Sequence, residues 1–538
     1  MKKLLLCVAL LLAITPLSLA VQPAAAQEAA ITVAFTESQP NTLDPAAATS
    51  VDEFQLMRNI CEGLTAYDPT TLKPMAGLAE SWEISDDSLT YTFKLRQGVT
   101  FSDGSAFDAN DVKYSLDRLA SPSIGTSYVA GLVLANVVGW ADARPAVVSV
   151  GENTPTPSPV PPAEGLSGVE VVDPATVKIT LTKPQSSFLT VLSLPGAVML
   201  AQDSSIGDNG PVCTGPYTVS EFVQQDHLTL KANENYWGGA PEVKQVTIRV
   251  IPEASSQVIE FEGGGLDIAV APEADLPRIR DDATLSPQLH NIPVLSLFNL
   301  RINLKDPQLS DVRVRKALAI AIDRQTIVDT VLAGQGQPAY GLYPPGLPTY
   351  SQSFNPFPYD PAAAKALLAE AGYPDGIELS VRTGQVETEN RVLNALAATV
   401  AEAGITLTVN STEASVYTTD RNSCNMQLGS IGWTMDYPDP ENMVVLVSKN
   451  GASRTACGYG ELEVSQQIAD LTAQAAAAPL GPDRDALYAQ IQQITIADQV
   501  MIIPIYNGVT TRLISSRLGG MPIDNNGTQR YALITLSK

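Results

Sequence analysis

In the first half of the chain, apolar and polar residues alternate in short runs, the pattern of strands with one buried face. Residues 90–95 (TYTFKL) set Tyr91, Phe93 and Leu95 on one side. Residues 177–181 (VKITL) and 246–250 (VTIRV) carry the same signal, and residues 31–35 (ITVAF) read as a buried first strand. In the second half the period lengthens. From Asp311 to Ala333, Val314, Leu318, Ala321, Ile322 and Val328 form a helical stripe, and Gly334 marks its stop. Asp360-Pro361 puts a capping side chain before a proline at the first helical position, and that helix runs through Leu367 and Leu368 to Gly372. Further helices are predicted over 390–403, closed by Gly404, and over 483–498, with a strand at 405–409 (ITLTV). The alternation of strands and helices predicts an α/β protein.

Two segments break the pattern. Lys2 and Lys3 precede an apolar run from Leu4 to Ala13, and Ala24-Ala25-Ala26 stands before Gln27. This predicts a secretory signal peptide over 1–26, with Ser18-Leu19-Ala20 as a second candidate cleavage site. The apolar run is short for a membrane span and Pro16 interrupts it; Cys7 lies too early for a lipid anchor. No later run of 18 apolar residues occurs, so a soluble mature chain is expected. The second break is 151–163 (GENTPTPSPVPPA), whose proline density predicts an exposed loop.

A chain of 538 residues exceeds what one core usually carries, so two or more lobes are expected. The formal net charge of −24 would repel phosphate polymers, which excludes nucleic acid as the expected partner. Without Cys7, four cysteines remain: Cys61, Cys213, Cys424 and Cys457. In an oxidising compartment they suggest two disulfides. Three pairings are open, of which Cys61–Cys213 with Cys424–Cys457 is the one expected. Their scatter argues against a zinc site.

Catalytic signatures are missing. The sequence has two histidines, His227 and His290, and no H-E-x-x-H, G-x-S-x-G, S-x-x-K or P-loop motif. An enzyme is therefore not expected, nor a cofactor. The pair Asp439 and Glu441 has the chemistry to hold a cation, but a turn-rich acidic loop seldom does so, and no metal is expected.

Other motifs read as architecture. Pro40-Asn41-Thr42-Leu43-Asp44-Pro45 is followed by Glu62-Gly63-Leu64, Leu78-Ala79-Glu80-Ser81-Trp82-Glu83 and Tyr91-Thr92-Phe93-Lys94-Leu95-Arg96. Phe101-Ser102-Asp103-Gly104 and Asn110-Asp111-Val112 come next, then Thr214-Gly215-Pro216-Tyr217 and Asn235-Tyr236-Trp237. Asp311-Val312-Arg313-Val314-Arg315-Lys316-Ala317-Leu318 with Ala321-Ile322-Asp323-Arg324, and Trp433-Thr434-Met435-Asp436-Tyr437-Pro438-Asp439-Pro440, complete the series. In this order the motifs resemble the family 5 extracellular solute-binding proteins, which include dipeptide and oligopeptide receptors of ABC importers.

The resemblance implies a two-lobed periplasmic-binding-protein fold, class II-like, with an extra α+β domain inserted in the first lobe. It places the first lobe at 27–66, 211–290 and 505–538, the inserted domain at 67–210 and the second lobe at 291–504. It implies capture of a short peptide in the interlobe cleft, delivery to ABC permease subunits served by separate ATPase subunits, a periplasmic or extracellular location, and a monomer. A nickel chelate, an oligosaccharide or an opine-like compound is the alternative cargo. By the same resemblance Asp436 meets the ligand's α-ammonium, Trp433 and Tyr437 wall the cleft, and Glu37, Ser38 and Tyr506 face the ligand. Arg382 lies near the position where dipeptide receptors bind the ligand's carboxylate, although Val381-Arg382-Thr383-Gly384-Gln385 departs from their pattern.

Overall fold

The computed structural model describes residues 29–35, 39–124, 127–144, 148–149, 155–156, 165–204, 206–207, 209–521, 523–524 and 527–537. The segment 1–26 and the residues Glu37 and Ser38 lie outside these, as does most of 151–163.

Among the described residues, one mixed sheet of twelve strands runs through both lobes. Its first half is ordered Tyr217–Val223, His227–Ala232, Gln245–Arg249, Ala30–Ala34 and Ile268–Val270. Its second half is ordered Ser296–Ile302, Leu428–Thr434, Ile377–Gly384 and Ile405–Thr412. Between the halves lies Ile502–Ile514, a strand of 13 residues that belongs to both. Residues 502–506 pair with Ser296–Ile302, and residues 509–514 pair with Leu289–Pro293 and Ile268–Val270. The lobes thus meet at two neighbouring crossings, near 294–296 and 507–509. The crossings are bonded together: the Val294 amide donates to the Gly508 carbonyl (3.0 Å), and Asn507 Nδ2 donates to the Ser296 carbonyl (2.9 Å).

Each lobe has its own apolar core. In the second lobe Ile377–Gly384 runs parallel to Ile405–Thr412, and helix Glu387–Ala401 crosses between them with Val392, Leu393, Leu396 and Val400 buried at helical spacing. In the first lobe Ile31, Val33, Leu228, Leu230, Val246 and Ile248 fill the core by strand alternation. A separate four-stranded antiparallel sheet, ordered Ala79–Ile84, Thr90–Leu95, Thr176–Thr180 and Val169–Asp173, packs under helix Ala109–Ala120. Asp108 and Asp111 close that helix's N-terminus reciprocally.

The sequence motifs explain themselves as joints. Glu62 is half-buried and accepts from Thr214 Oγ1 (2.9 Å), Tyr236 Oη (2.7 Å) and Trp237 Nε1 (2.8 Å), so three motifs far apart in sequence converge on one carboxylate. Gly215 lies against the end of helix Val51–Ile60, where a Cβ would stand 2.4 Å from the Ile60 carbonyl oxygen. The adjacent Cys213 is bonded to Cys61, and Cys424 is bonded to Cys457. Arg315 is buried and donates to the Leu309 (2.7 Å) and Gln499 (2.7 Å) carbonyls. Arg324, also buried, donates to the Pro504 carbonyl (2.8 Å) on the crossing strand.

One predicted helix is divided. The stripe from 311 to 333 forms two helices, Val312–Ile320 and Arg324–Thr330. Asp323 starts the second by accepting the Thr326 amide (3.1 Å), which turns the chain between them.

Candidate functional site

The site is built around the turn that follows strand Leu428–Thr434. The Met435 amide donates to the Leu295 carbonyl (2.8 Å), fixing the strand's exit beside the crossing. Asp439 then caps helix Pro440–Val444 through the Glu441 amide (2.9 Å) and forms a buried ion pair with Arg484 (2.7 Å). That helix carries Asn442, whose amide side chain clamps the turn from below. Asn442 Oδ1 accepts from Trp433 Nε1 (2.9 Å), and Nδ2 donates to Asp436 Oδ2 (2.8 Å). Tyr128 Oη, from helix Tyr128–Leu134 of the inserted sheet domain, donates to the same oxygen (2.9 Å). Among the described residues no bond reaches Asp436 Oδ1. Burial pushes the Tyr128 phenol up from its ordinary range, and the Asp436 charge adds to this.

Asp436 faces a cavity of about 250 Å³. Four parts of the fold form its walls. Thr49, Val51, Phe54, Gln55 and Arg58 come from helix Val51–Ile60 and the residues just before it. Tyr128, Val129 and Leu132 come from the inserted domain, with Leu194 and Pro195 beside them. Thr434, Met435 and Asp436 close it from the second lobe, and Gly527 and Thr528 from the C-terminal segment. The cavity is apolar on most sides, with a fixed carboxylate at one wall, an arrangement suited to a small solute carrying a positive group.

Helix Val51–Ile60 is held firmly. Ser50 and Glu53 form a capping box, and the Glu53 carboxylate also accepts from the Asn41 (2.9 Å) and Thr49 (2.7 Å) amides. Burial would raise the Glu53 carboxyl, but these amide bonds outweigh it and hold it below its usual range. Asp44 is tied to Arg118 by two bonds (2.9 and 2.6 Å), which locks the opening loop to the inserted domain.

The other residues singled out in the sequence lie around this cavity or away from it. Trp433 is half-buried and packs on the second-lobe core. Tyr437 is buried against the core of the inserted domain, so the turn bridges the cleft. Next to it Ser187 Oγ donates to Glu441, the Ser186 amide donates to the Ala476 carbonyl (2.8 Å), and Arg484 Nε donates to Ser186 Oγ (2.7 Å). Tyr506 stacks on Phe298 at 5.0 Å near the crossing and does not line the cavity. Arg382 does not line it either; its guanidinium is paired with Asp420 of helix Ala414–Ser423.

Thr49, Val51, Phe54, Arg58, Tyr128 and Asn442 were not singled out in the sequence. The helix-borne wall has a sequence signal: Ser50-x-x-Glu53 is a capping box, and Val51, Phe54, Gln55 and Arg58 then share one helical face. Tyr128 has none, because its partner Asp436 is 308 residues away.

Comparison with known proteins agrees with this architecture. The family described as bacterial extracellular solute-binding proteins, family 5 Middle, matches residues 73–454. The chain is 26% identical to the dipeptide-binding protein of Escherichia coli strain K12, over 97% of both chains. It is 32% identical to the glutathione-binding protein GsiB of Salmonella paratyphi A, over 69% of this chain and 68% of that one. Its fold matches the periplasmic murein tripeptide binding protein MppA in an unliganded open form, with a TM-score of 0.81 at 23% identity, over 95% of this chain and 98% of the other. Among the described residues no helix is long and apolar enough to cross a membrane. The chain belongs to the bacterial extracellular solute-binding proteins of family 5.

Proposed function

We propose that this protein is the extracytoplasmic receptor of an ABC importer, that it captures short peptides between its lobes, and that Asp436 pairs with the peptide's α-ammonium. The observation that carries the reading is the state of that carboxylate. Oδ2 is held by both Tyr128 and Asn442, Oδ1 has no intramolecular bond among the described residues, and Asp436 lines the cavity. A fixed charge with an open acceptor in a mostly apolar cavity is matched by an ammonium group. The relatives named above are described as binding a dipeptide, glutathione and a murein tripeptide, all short peptides.

In this reading the signal peptide 1–26 directs export, and the mature chain works as a monomer that binds without turnover. It hands its cargo to membrane permease subunits energised by separate ATPase subunits, and it binds neither nucleic acid nor a cofactor. The lobes are placed at 27–66, 211–290 and 505–538 for the first, with 67–210 inserted, and at 291–504 for the second. The paired crossings supply the hinge. Arg382, already paired with Asp420, is given no ligand role.

The test is to purify the protein from its exported fraction, denature it, and identify by mass spectrometry what it releases. Short peptides are expected, and adding them back should raise the melting temperature of ligand-free protein. Recovery of a neutral sugar or a metal chelate in their place overturns the peptide reading.

A further inference from the structure

Asp436 is one charge on the wall of the cavity. Arg58 is the other, and it is the cation among the lining residues. It sits in the last turn of helix Val51–Ile60, on the face that also presents Val51, Phe54 and Gln55. Its guanidinium lies over the Tyr67 ring, 4.5 Å from the centroid. Its polar contact is a long one, from Nη1 to the Ser193 carbonyl at 3.5 Å. No carboxylate among the described residues lies within 4 Å of it. The nearby Asp524 is engaged elsewhere, accepting from Tyr67 Oη (3.0 Å) and pairing with Arg530 (3.5 Å).

Asp524 acts on Arg58 only from a distance and forms no ion pair with it, so burial of this guanidinium stays costly, and the cost is offset when an anion arrives. Arg58 also has a second cavity behind it. This space measures about 280 Å³, and Arg58 and Pro195 line both cavities. Arg530 lines that second space, so a further cation backs the first. The contact with Tyr67 holds the guanidinium without using up its N–H groups, of which one makes the long bond to Ser193.

We propose that Arg58 binds the ligand's carboxylate, so that the cavity selects a short zwitterion stretched between Asp436 on the second lobe and Arg58 on the first. The assignment rests on the peptide reading above and narrows it. Because the two charges sit on opposite lobes, one ligand engages both only when the lobes are together. The ligand's two ends then stabilise closure, which neither end achieves alone.

The experiment compares two probes on the full-length mature protein: a pool of di-, tri- and tetrapeptides with free carboxyl ends, and the same pool amidated at the C-terminus. Affinities are read by titration calorimetry alongside thermal shift. The wild type should bind the amidated pool at least about tenfold more weakly. Arg58→Met, which keeps the packing on Tyr67, should bind both pools equally and weakly, and Arg58→Lys should recover part of the preference. Equal binding of both pools by the wild type overturns the carboxylate assignment and needs no variant to do so. An Arg58→Met protein that still prefers free acids by the wild-type factor overturns it as well. A wild type that binds neither pool overturns the peptide reading itself, and the assignment falls with it.

Discussion

A single carboxylate oxygen separates a structural aspartate from a binding one. Asp436 spends Oδ2 on Tyr128 and Asn442, and these bonds orient Oδ1. Asp436→Asn should therefore weaken peptide binding by about 2–5 kcal/mol in calorimetry while leaving the unliganded melting temperature nearly unchanged. Unchanged affinity would remove Asp436 from the site. Asn442 acts through others, so Asn442→Ala should release both Trp433 and Asp436 and cost about 1–2 kcal/mol of affinity. A neighbouring acid behaves differently. Burial pushes the Glu441 carboxyl up, Asp439 adds to this, and Ser187, Arg484 and Lys183 oppose it. A raised folded value means that, above the unfolded value of about 4.5, the folded state holds a proton the unfolded chain has lost. Stability from this group therefore rises as pH falls toward 4.5 and is lowest at neutral pH. Glu441→Gln should raise the melting temperature more at pH 7.5 than at pH 4.5, and a pH-independent difference would refute the account. Asp436 was singled out through the family resemblance of its W-x-x-D turn, a motif short enough to stand in one stretch of sequence, and the structure sets it on the cavity wall. Arg58 and Tyr128 were not singled out, because what brings them to the cavity is a partner or wall assembled from distant segments.

At the scale of elements, the reach of sequence reading follows the reach of the forces. Strand Thr90–Leu95 and helix Pro361–Glu370 are set by alternation and by a cap, both local, and both stand close to their sequence-based bounds. The stripe from 311 to 333 keeps helical spacing across a break, so periodicity misses the division at Asp323 that only the cap reveals. The long strand Ile502–Ile514 was hidden for another reason. Its pairing partners all lie far upstream, in strands 268–270, 289–293, 296–302 and 336–338, and its central position needs knowledge of both lobes. Helix Val51–Ile60 connects element to site, since the same capping box that starts it aims Val51 and Arg58 at the cavity. Glu53→Ala would strand the amides of Asn41, Thr49 and Ser50 and should cost about 3 kcal/mol or more in denaturant unfolding. Because the folded Glu53 value is depressed, its contribution is present above about pH 4.5 and is lost as pH falls below that.

For the whole molecule, the two disulfides close loops of very different size. Cys61 and Cys213 are 152 residues apart, and Cys424 and Cys457 are 33 apart. Loop-closure entropy gives about 5 kcal/mol for the first and about 4 for the second, so a Cys61→Ser/Cys213→Ser protein should melt below a Cys424→Ser/Cys457→Ser one. The order reversed would mean that native-state contacts, and not unfolded-chain entropy, dominate. The first bond also ties the end of helix Val51–Ile60 to the re-entering segment, so its loss should loosen the Arg58 wall and weaken binding. The strand Ile502–Ile514 has a consequence in time. Every other strand of the twelve-stranded sheet precedes it in the chain, yet it sits in the middle. A growing chain therefore holds two half-sheets with open edges until residues 502–514 emerge, and neither lobe can close before synthesis is nearly finished. A chain ending at Met501 should show no cooperative melting transition. In the proposed reading of an exported chain, late arrival of the central strand works as a timer, delaying both halves until the whole chain has been delivered so that they set together.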